Sequence, residues 1–255
     1  MSLVLYRKEG HVAYITLNNP ESLNAINRNM AKELIEVWID YRDDDNLWVA
    51  ILNGEGKSFC SGADVKEMER GEWKFRQSLV YGDDRIGHTN YNLWKPIIAA
   101  VHRHTYGGGL LLALESDIIV ASEDTLFGLP EGKVNIPTLV APFMTDFMPR
   151  AVANELMYTG KPLDAKRAYE LGIINRVVEK EKLMPTAQEF AEQICKNGPL
   201  ATWAAKEMMW RTRGMSSADA ITVVEHIATP VWNSEDSKEA KQAFKEKRMP
   251  QWKLK

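Results

Sequence analysis

The sequence predicts an α/β fold that closes in a helical C-terminal part, and three observations carry that prediction. Short apolar runs over residues 48–52 and 97–101 read as buried strands, and each leads through small residues into a helical pattern. After the second run, Gly107, Gly108 and Gly109 break the pattern, and residues 110–114 follow with no polar alternation, so this helix is apolar on all sides and central. From Leu183 to the end the pattern is helical throughout.

Taken in order, residues 4–7 and 12–17 predict two strands joined at Glu9 and Gly10 as a hairpin. Residues 18–22 form a loop, and Asn27 is placed to cap a helix from 28 to about 43. That helix keeps Met30, Leu34, Val37, Trp38 and Tyr41 on one face. The strand over 48–52 and the turn over 54–57 lead into residues 58–68, which run from small residues to a helix start. Residues 70–92 are polar and aromatic and predict a helix followed by a mobile loop. Beyond the central helix come a strand over 118–121, a small and acidic stretch over 125–133, and helices over 142–150 and 151–158. A short helix over 164–170 ends at Gly172, and residues 173–178 form a strand. In the C-terminal part, residues 197–200 separate one helix from the next over 201–212, Ser216 opens another, and residues 234–239 cap the last.

Composition narrows the functional classes. The 255 residues are 45% hydrophobic and 26% charged, enough for one large domain or a domain with a helical appendage. A net charge of −3 argues against a general nucleic-acid binder. The N-terminus carries a charge after six residues and no long apolar core, and the chain has no apolar run of membrane length, so neither a secretory signal nor a membrane span is expected. Cys60 and Cys195 lie far apart and match no zinc spacing; reduced thiols, a cytoplasmic location and no metal site are the expectation.

The glycine turn has its own chemistry. The first turn of a helix carries unpaired N–H donors and partial positive charge, and a residue without Cβ lets a ligand come close. Such a turn holds an anion, or an oxygen that becomes anionic during a reaction. Tight helix–strand packing accounts for the same glycines. A dinucleotide site is disfavoured, because the spacing is not Gly-x-Gly-x-x-Gly and the turn lies mid-chain. The turn over 58–64 adds a second exposed N–H, that of Ala63, and two N–H groups from separate turns can converge on one oxygen.

Residues 19–26, 59–68, 95–117, 129–131, 158–160, 165–178 and 244–250 together resemble the crotonase superfamily, also called the enoyl-CoA hydratase/isomerase family, in family order. The resemblance implies a spiral of ββα turns over residues 1–195 and a helical trimerisation region over 196–255, with assembly as a homotrimer or a hexamer built as a dimer of trimers. It implies an acyl-CoA thioester as ligand and no separate cofactor, since coenzyme A is part of the substrate. The oxyanion donors fall on the N–H groups of Ala63 and Gly108, and further substrate contacts on Ala25, Ser61, Asp64, Val65, Lys66 and Leu111. Phe244 and Lys247 fall in a tail that reaches a neighbouring subunit's ligand, where Lys66 and Lys247 supply cations for phosphates and Phe244 a wall for adenine.

The departures from the family decide the expected chemistry. Typical hydratases use two glutamates; here Leu111 stands at the first position and Glu131 at the second. Adding water across a conjugated double bond needs a base for the water and a proton for the α-carbon. Moving a double bond needs only one carboxylate, which takes a proton from one carbon and returns it to another. Mitochondrial-type Δ3,Δ2-enoyl-CoA isomerases are similar to this chain in the leucine, the glutamate and the Ala141-Pro142-Phe143 step. A single-base isomerase is therefore the first expectation and a hydratase the second. A non-catalytic or RNA-associated relative ranks last, because no helix concentrates lysines on one face. Arg103 replaces the usual glycine, and with the segment 133–138 it is expected to border the acyl pocket. Glu115, four residues after Leu111, reads as a helix partner or interface charge, and Asp117 as an anchor for the helix end or a nearby loop. His102 and His104 alternate across a strand end, where packing or hydrogen bonding is their expected role.

Overall fold

The computed structural model describes residues 2–69 and 86–255. The helix and loop expected over 70–92 lie mostly outside the described residues; their end forms a 3-10 turn at His88–Tyr91.

A six-stranded sheet runs in the order β1 (Val4–Glu9), β2 (Val12–Leu17), β3 (Val49–Gly54), β4 (Ile97–Val101), β6 (Ile118–Ser122), β9 (Arg176–Val178). The β1–β2 hairpin is antiparallel, and every later pairing is parallel. Both faces of this sheet are covered, which explains the unbroken apolar strands. Ala50, Leu52, Ile97, Ala99 and Val101 join the main core on one face. Val49, Ile51, Ile98 and Ala100 pack on the other face against Leu183, Ala187 and Ala191 of helix α6 (Leu183–Lys196).

Helix α1 (Arg28–Asp43) forms as its periodicity predicts: Asn27 Oδ1 accepts the Met30 N–H at 2.8 Å, and Met30, Leu34, Val37, Trp38 and Tyr41 are buried. Helix α2 (Val65–Glu69) follows the 58–64 turn, and α3 (Gly108–Glu115) is the apolar central helix, buried from Gly108 to Leu114. A second, smaller sheet was not expected. It pairs β5 (His104–Tyr106) with β7 (Leu126–Gly128) in parallel, and β7 with β8 (Leu163–Asp164) in antiparallel. Strands of two or three residues are too short to display a period of two, so only tertiary pairing reveals them. Isolated parallel bridges, Cys60 with Thr105 and Ile26 with Ala63, extend this layer toward the glycine turns.

Other boundaries move for local reasons. The helix expected over 142–150 is a 3-10 turn, Ala141–Asp146, followed by α4 (Arg150–Thr159); Pro149, at the cap of α4, separates the two. The strand expected over 173–178 shortens to β9, because Asn175 instead pairs edge-on with Ile119 through its backbone N–H and its side-chain Oδ1. Asp164 caps α5 (Ala165–Glu170) by accepting the Arg167 N–H at 2.8 Å.

Helices α7 (Pro199–Arg211), α8 (Ser217–Trp232) and α9 (Glu235–Glu246) complete the C-terminal part. The helical pattern does not continue to the end: Lys247 turns left-handed at φ 55°, and the tail folds back so that Lys255 O accepts the Asp236 N–H. No helix among the described residues is long and apolar enough to cross a membrane.

Helix α7 is fastened to the sheet by buried polar contacts. Lys206 Nζ donates to Asp117 Oδ2 at 2.7 Å and to Lys95 O at 3.1 Å, with only 5% of its side chain exposed. The same Asp117 oxygen accepts the Ile97 N–H, so Asp117 anchors the start of β4 as well as the helix. Lys206→Met should therefore lower stability by about 2–4 kcal/mol, since it strands a carboxylate that keeps limited solvent contact. Chemical denaturation reads the change, and an unshifted midpoint rejects the anchoring role.

Candidate active site

Two glycine turns meet at the end of the small sheet. Gly62 adopts φ 101° and Gly107 φ 51°, conformations that favour glycine. A Cβ placed on Gly62 would lie 3.6 Å from Gly107 Cα and 3.1 Å from Tyr106 O, so the turns are in van der Waals contact. The next residue in each turn carries a free donor. The N–H groups of Ala63 and Gly108 make no hydrogen bond to another described residue. Neighbouring bonds fix the Ala63 turn: Ile26 N–H donates to Gly62 O at 2.7 Å and Asp64 N–H to Ile26 O at 2.9 Å. On the other side, Gly107 N–H donates to Gly128 O at 2.9 Å.

Glu131 stands beside this junction, in the first turn of a 3-10 helix that Pro130 opens. A Cβ on Gly107 would come 2.9 Å from Glu131 Oε1, so any larger residue there would press on the carboxylate. Its Oε2 is buried and has no hydrogen-bond partner among the described residues. Burial pushes the Glu131 carboxyl above its ordinary pKa, partly offset by a bond from its own backbone N–H. A desolvated carboxylate with one oxygen unpaired, beside two N–H groups that are free among the described residues, is the kind of arrangement in which functional groups carry shifted pKa values.

These groups open on a cavity of about 630 Å³. Ser61, Ala63, Val65, Gly108 and Glu131 line it, together with Gly62, Gly107, Pro130 and an apolar wall from Val134 to Val140. Glu131 is the one carboxylate of the lining among the described residues.

Other expected contacts lie elsewhere. Ala25 is buried, with its N–H on Ser22 O, and does not line the cavity. Asp64 caps α2 by accepting the Lys66 and Glu67 N–H groups, and Lys66 points outward from the same turn. Leu111, expected to form a pocket wall, is 6% exposed and packs in the main core, away from the cavity lining. Phe244 is 86% exposed and Lys247 is exposed beside it; neither contributes to the cavity of its own chain.

Arg103 also departs from expectation, because it does not border the cavity. It holds φ 55° and its carbonyl accepts the Leu126 N–H, a backbone position for which glycine is the easier residue. Lys133, Val134, Ile136 and Pro137, from the segment expected there, do line it. His102 Nε2 donates to Gly56 O at 3.1 Å and His104 Nδ1 pairs with Ser58 Oγ at 3.0 Å; burial lowers the pKa of both, and neither lines the cavity. Leu139 and Val140 complete the wall, and sequence reasoning missed them. Their one signal is apolar character immediately before the Ala141-Pro142-Phe143 step.

Residues 7–255 match the family model described as Enoyl-CoA hydratase/isomerase. The chain belongs to the enoyl-CoA hydratase/isomerase family. Members of this family similar to it include carnitinyl-CoA dehydratases of Citrobacter koseri, 37% identical over 97% of both chains, and of Escherichia coli, 38% identical over 96% of both. Among solved family structures, an enoyl-CoA hydratase of Mycobacterium tuberculosis superposes with a TM-score of 0.92 at 36% identity, covering 100% of both chains. One of Mycobacterium marinum gives 0.91 at 36% identity over 99% of both. The expected α/β spiral with C-terminal helices is thus the fold of this enoyl-CoA hydratase/isomerase family member.

Proposed function

We propose that the chain is an acyl-CoA isomerase in which the N–H groups of Ala63 and Gly108 hold the thioester oxygen while Glu131 moves a proton between two carbons. The observation that carries this reading is that Glu131 is the one carboxylate of the cavity lining among the described residues, while Leu111, at the position where the resemblance puts a hydratase's other glutamate, carries no acid. As the thioester carbonyl becomes an enolate, negative charge collects on its oxygen, and each aligned donor is worth about 100- to 1000-fold in rate. Glu131 takes the proton from one carbon and returns it two carbons away, which requires reach to both and no water. The apolar wall, Val134, Ile136, Pro137, Leu139 and Val140, keeps the enolate from being quenched by solvent.

A hydratase or dehydratase is the second reading, favoured by the names of the relatives above. In either case the chain assembles as a closed oligomer. Met209, Ile221 and Trp232 are exposed on the C-terminal helices, and Phe244 stands clear of its own cavity.

One purified sample assayed for both reactions separates the readings. The expected result is rapid interconversion of 3-enoyl- and 2-enoyl-CoA with hydration about 100-fold slower or more, the low end of what an acid/base group contributes. Efficient hydration with negligible double-bond migration rejects the isomerase and leaves the second reading.

A further inference from the structure

We propose that Cys60 is a positioning residue whose buried thiol clamps together the two turns that present Ala63 and Gly108. This rests on the oxyanion role assigned above to those two N–H groups. Cys60 is fully buried, and its Sγ makes two hydrogen bonds. It accepts the Gly62 N–H at 3.4 Å and donates to Asn24 O at 3.0 Å. Cys60 Sγ is the one partner of the Gly62 N–H among the described residues, and the carbonyl carbon of Gly62 is bonded to Ala63 N.

The other turn rests on the same side chain. A Cβ placed on Gly109 would lie 2.6 Å from Cys60 Cβ and 2.8 Å from Sγ, so the first turn of α3 sits directly on the thiol. Backbone bonds hold Cys60 in register with β5: its N–H donates to His104 O at 2.9 Å, and its carbonyl accepts the Tyr106 N–H at 3.0 Å. One residue thereby joins the loop before α1, the Ala63 turn, β5 and α3. Asn24 is itself immobilised, since its amide donates to Glu55 O and Ser58 O while its Oδ1 accepts the Asn19 N–H.

Burial pushes the Cys60 thiol up to about 12, so it remains S–H and keeps donating to Asn24 at every working pH. Such a thiol is not a nucleophile. Its effect is geometric: without an acceptor the Gly62 N–H is stranded, the turn relaxes, and the Ala63 donor leaves its line to the oxygen. Small displacements matter at such a site, where a shift of about 1 Å can cost about 100-fold.

Cys60→Ala and Cys60→Ser differ by one hydroxyl and test the hydrogen-bonding role directly. Turnover of an enoyl-CoA is read alongside the absorption of a bound, unreactive cinnamoyl thioester of coenzyme A, which shifts to the red when its carbonyl is polarised by donors. The alanine variant should lose about tenfold or more in kcat, keep KM within about threefold, and lose most of the spectral shift. Serine should retain kcat and the shift within about threefold. An alanine variant with wild-type kcat and shift overturns the clamp. So does a folded serine variant that binds normally yet loses tenfold in kcat, which keeps the test decisive even when the alanine variant does not fold. A wild-type protein that shifts the bound thioester without turning over any enoyl-CoA rejects the isomerase reading and leaves the clamp to be judged on the spectra. Absence of any shift in the wild type rejects both.

Discussion

Glu131→Gln is expected to remove nearly all turnover, by about 1000-fold or more, because the amide keeps the shape of the side chain and cannot accept a proton. The size follows from the cavity lining, which offers Glu131 as its one carboxylate among the described residues. Binding should survive, since the N–H groups of Ala63 and Gly108 and the apolar wall are untouched; KM or the affinity for a bound thioester reads that. The wild-type pH profile carries the same information. Burial raises the Glu131 pKa, and the base is the deprotonated form. Activity is therefore full above that raised pKa and falls as pH drops through it, at a higher pH than an ordinary glutamate would give. In Glu131→Gln this acid limb should vanish from whatever activity remains. A variant that keeps wild-type kcat places the base elsewhere.

Gly108→Pro should be almost as damaging, costing about 100- to 1000-fold in kcat through loss of one oxyanion donor. Gly108 is the first residue of α3, where proline is well tolerated and the missing N–H breaks no bond of the helix. Gly107 before it has no Cβ to meet the new ring. Far-ultraviolet circular dichroism should then match the wild type while turnover collapses. A folded variant with unchanged kcat means that the Gly108 N–H is not aimed at the reacting oxygen.

Much of this architecture is legible along the chain. Asn27 and the three- and four-residue spacing of Met30, Leu34, Val37, Trp38 and Tyr41 specify α1, because capping and amphipathicity act within a few residues. The unbroken apolar runs of β3 and β4 announce a sheet covered on both sides. The two glycine turns are visible as small residues before helices, which fits an anion site and tight packing alike, and Glu131 gains its expected role only from the family resemblance. The place of Leu111 is not legible in the sequence, for a physical reason. An all-apolar helix has no face that sequence can orient, and in the structure Leu111 turns into the core rather than toward the cavity.

The sequence by itself determined most of the longer helices and strands, the family pattern and the presence of leucine at 111 and glutamate at 131, all of which rest on interactions among residues close in the chain or on identity alone. Tertiary structure decided what those parts do together. The cavity draws its wall from residues 61–65, 107–108 and 130–140, stretches separated by dozens of residues that no local period links. It also decided the left-handed backbone of Gly62, Gly107 and Arg103, the two- and three-residue strands of the small sheet, and the contact of Cys60 with both turns. Each of these is set by a neighbour distant in sequence, and burial and van der Waals contact between such neighbours exist only once the chain has closed on itself.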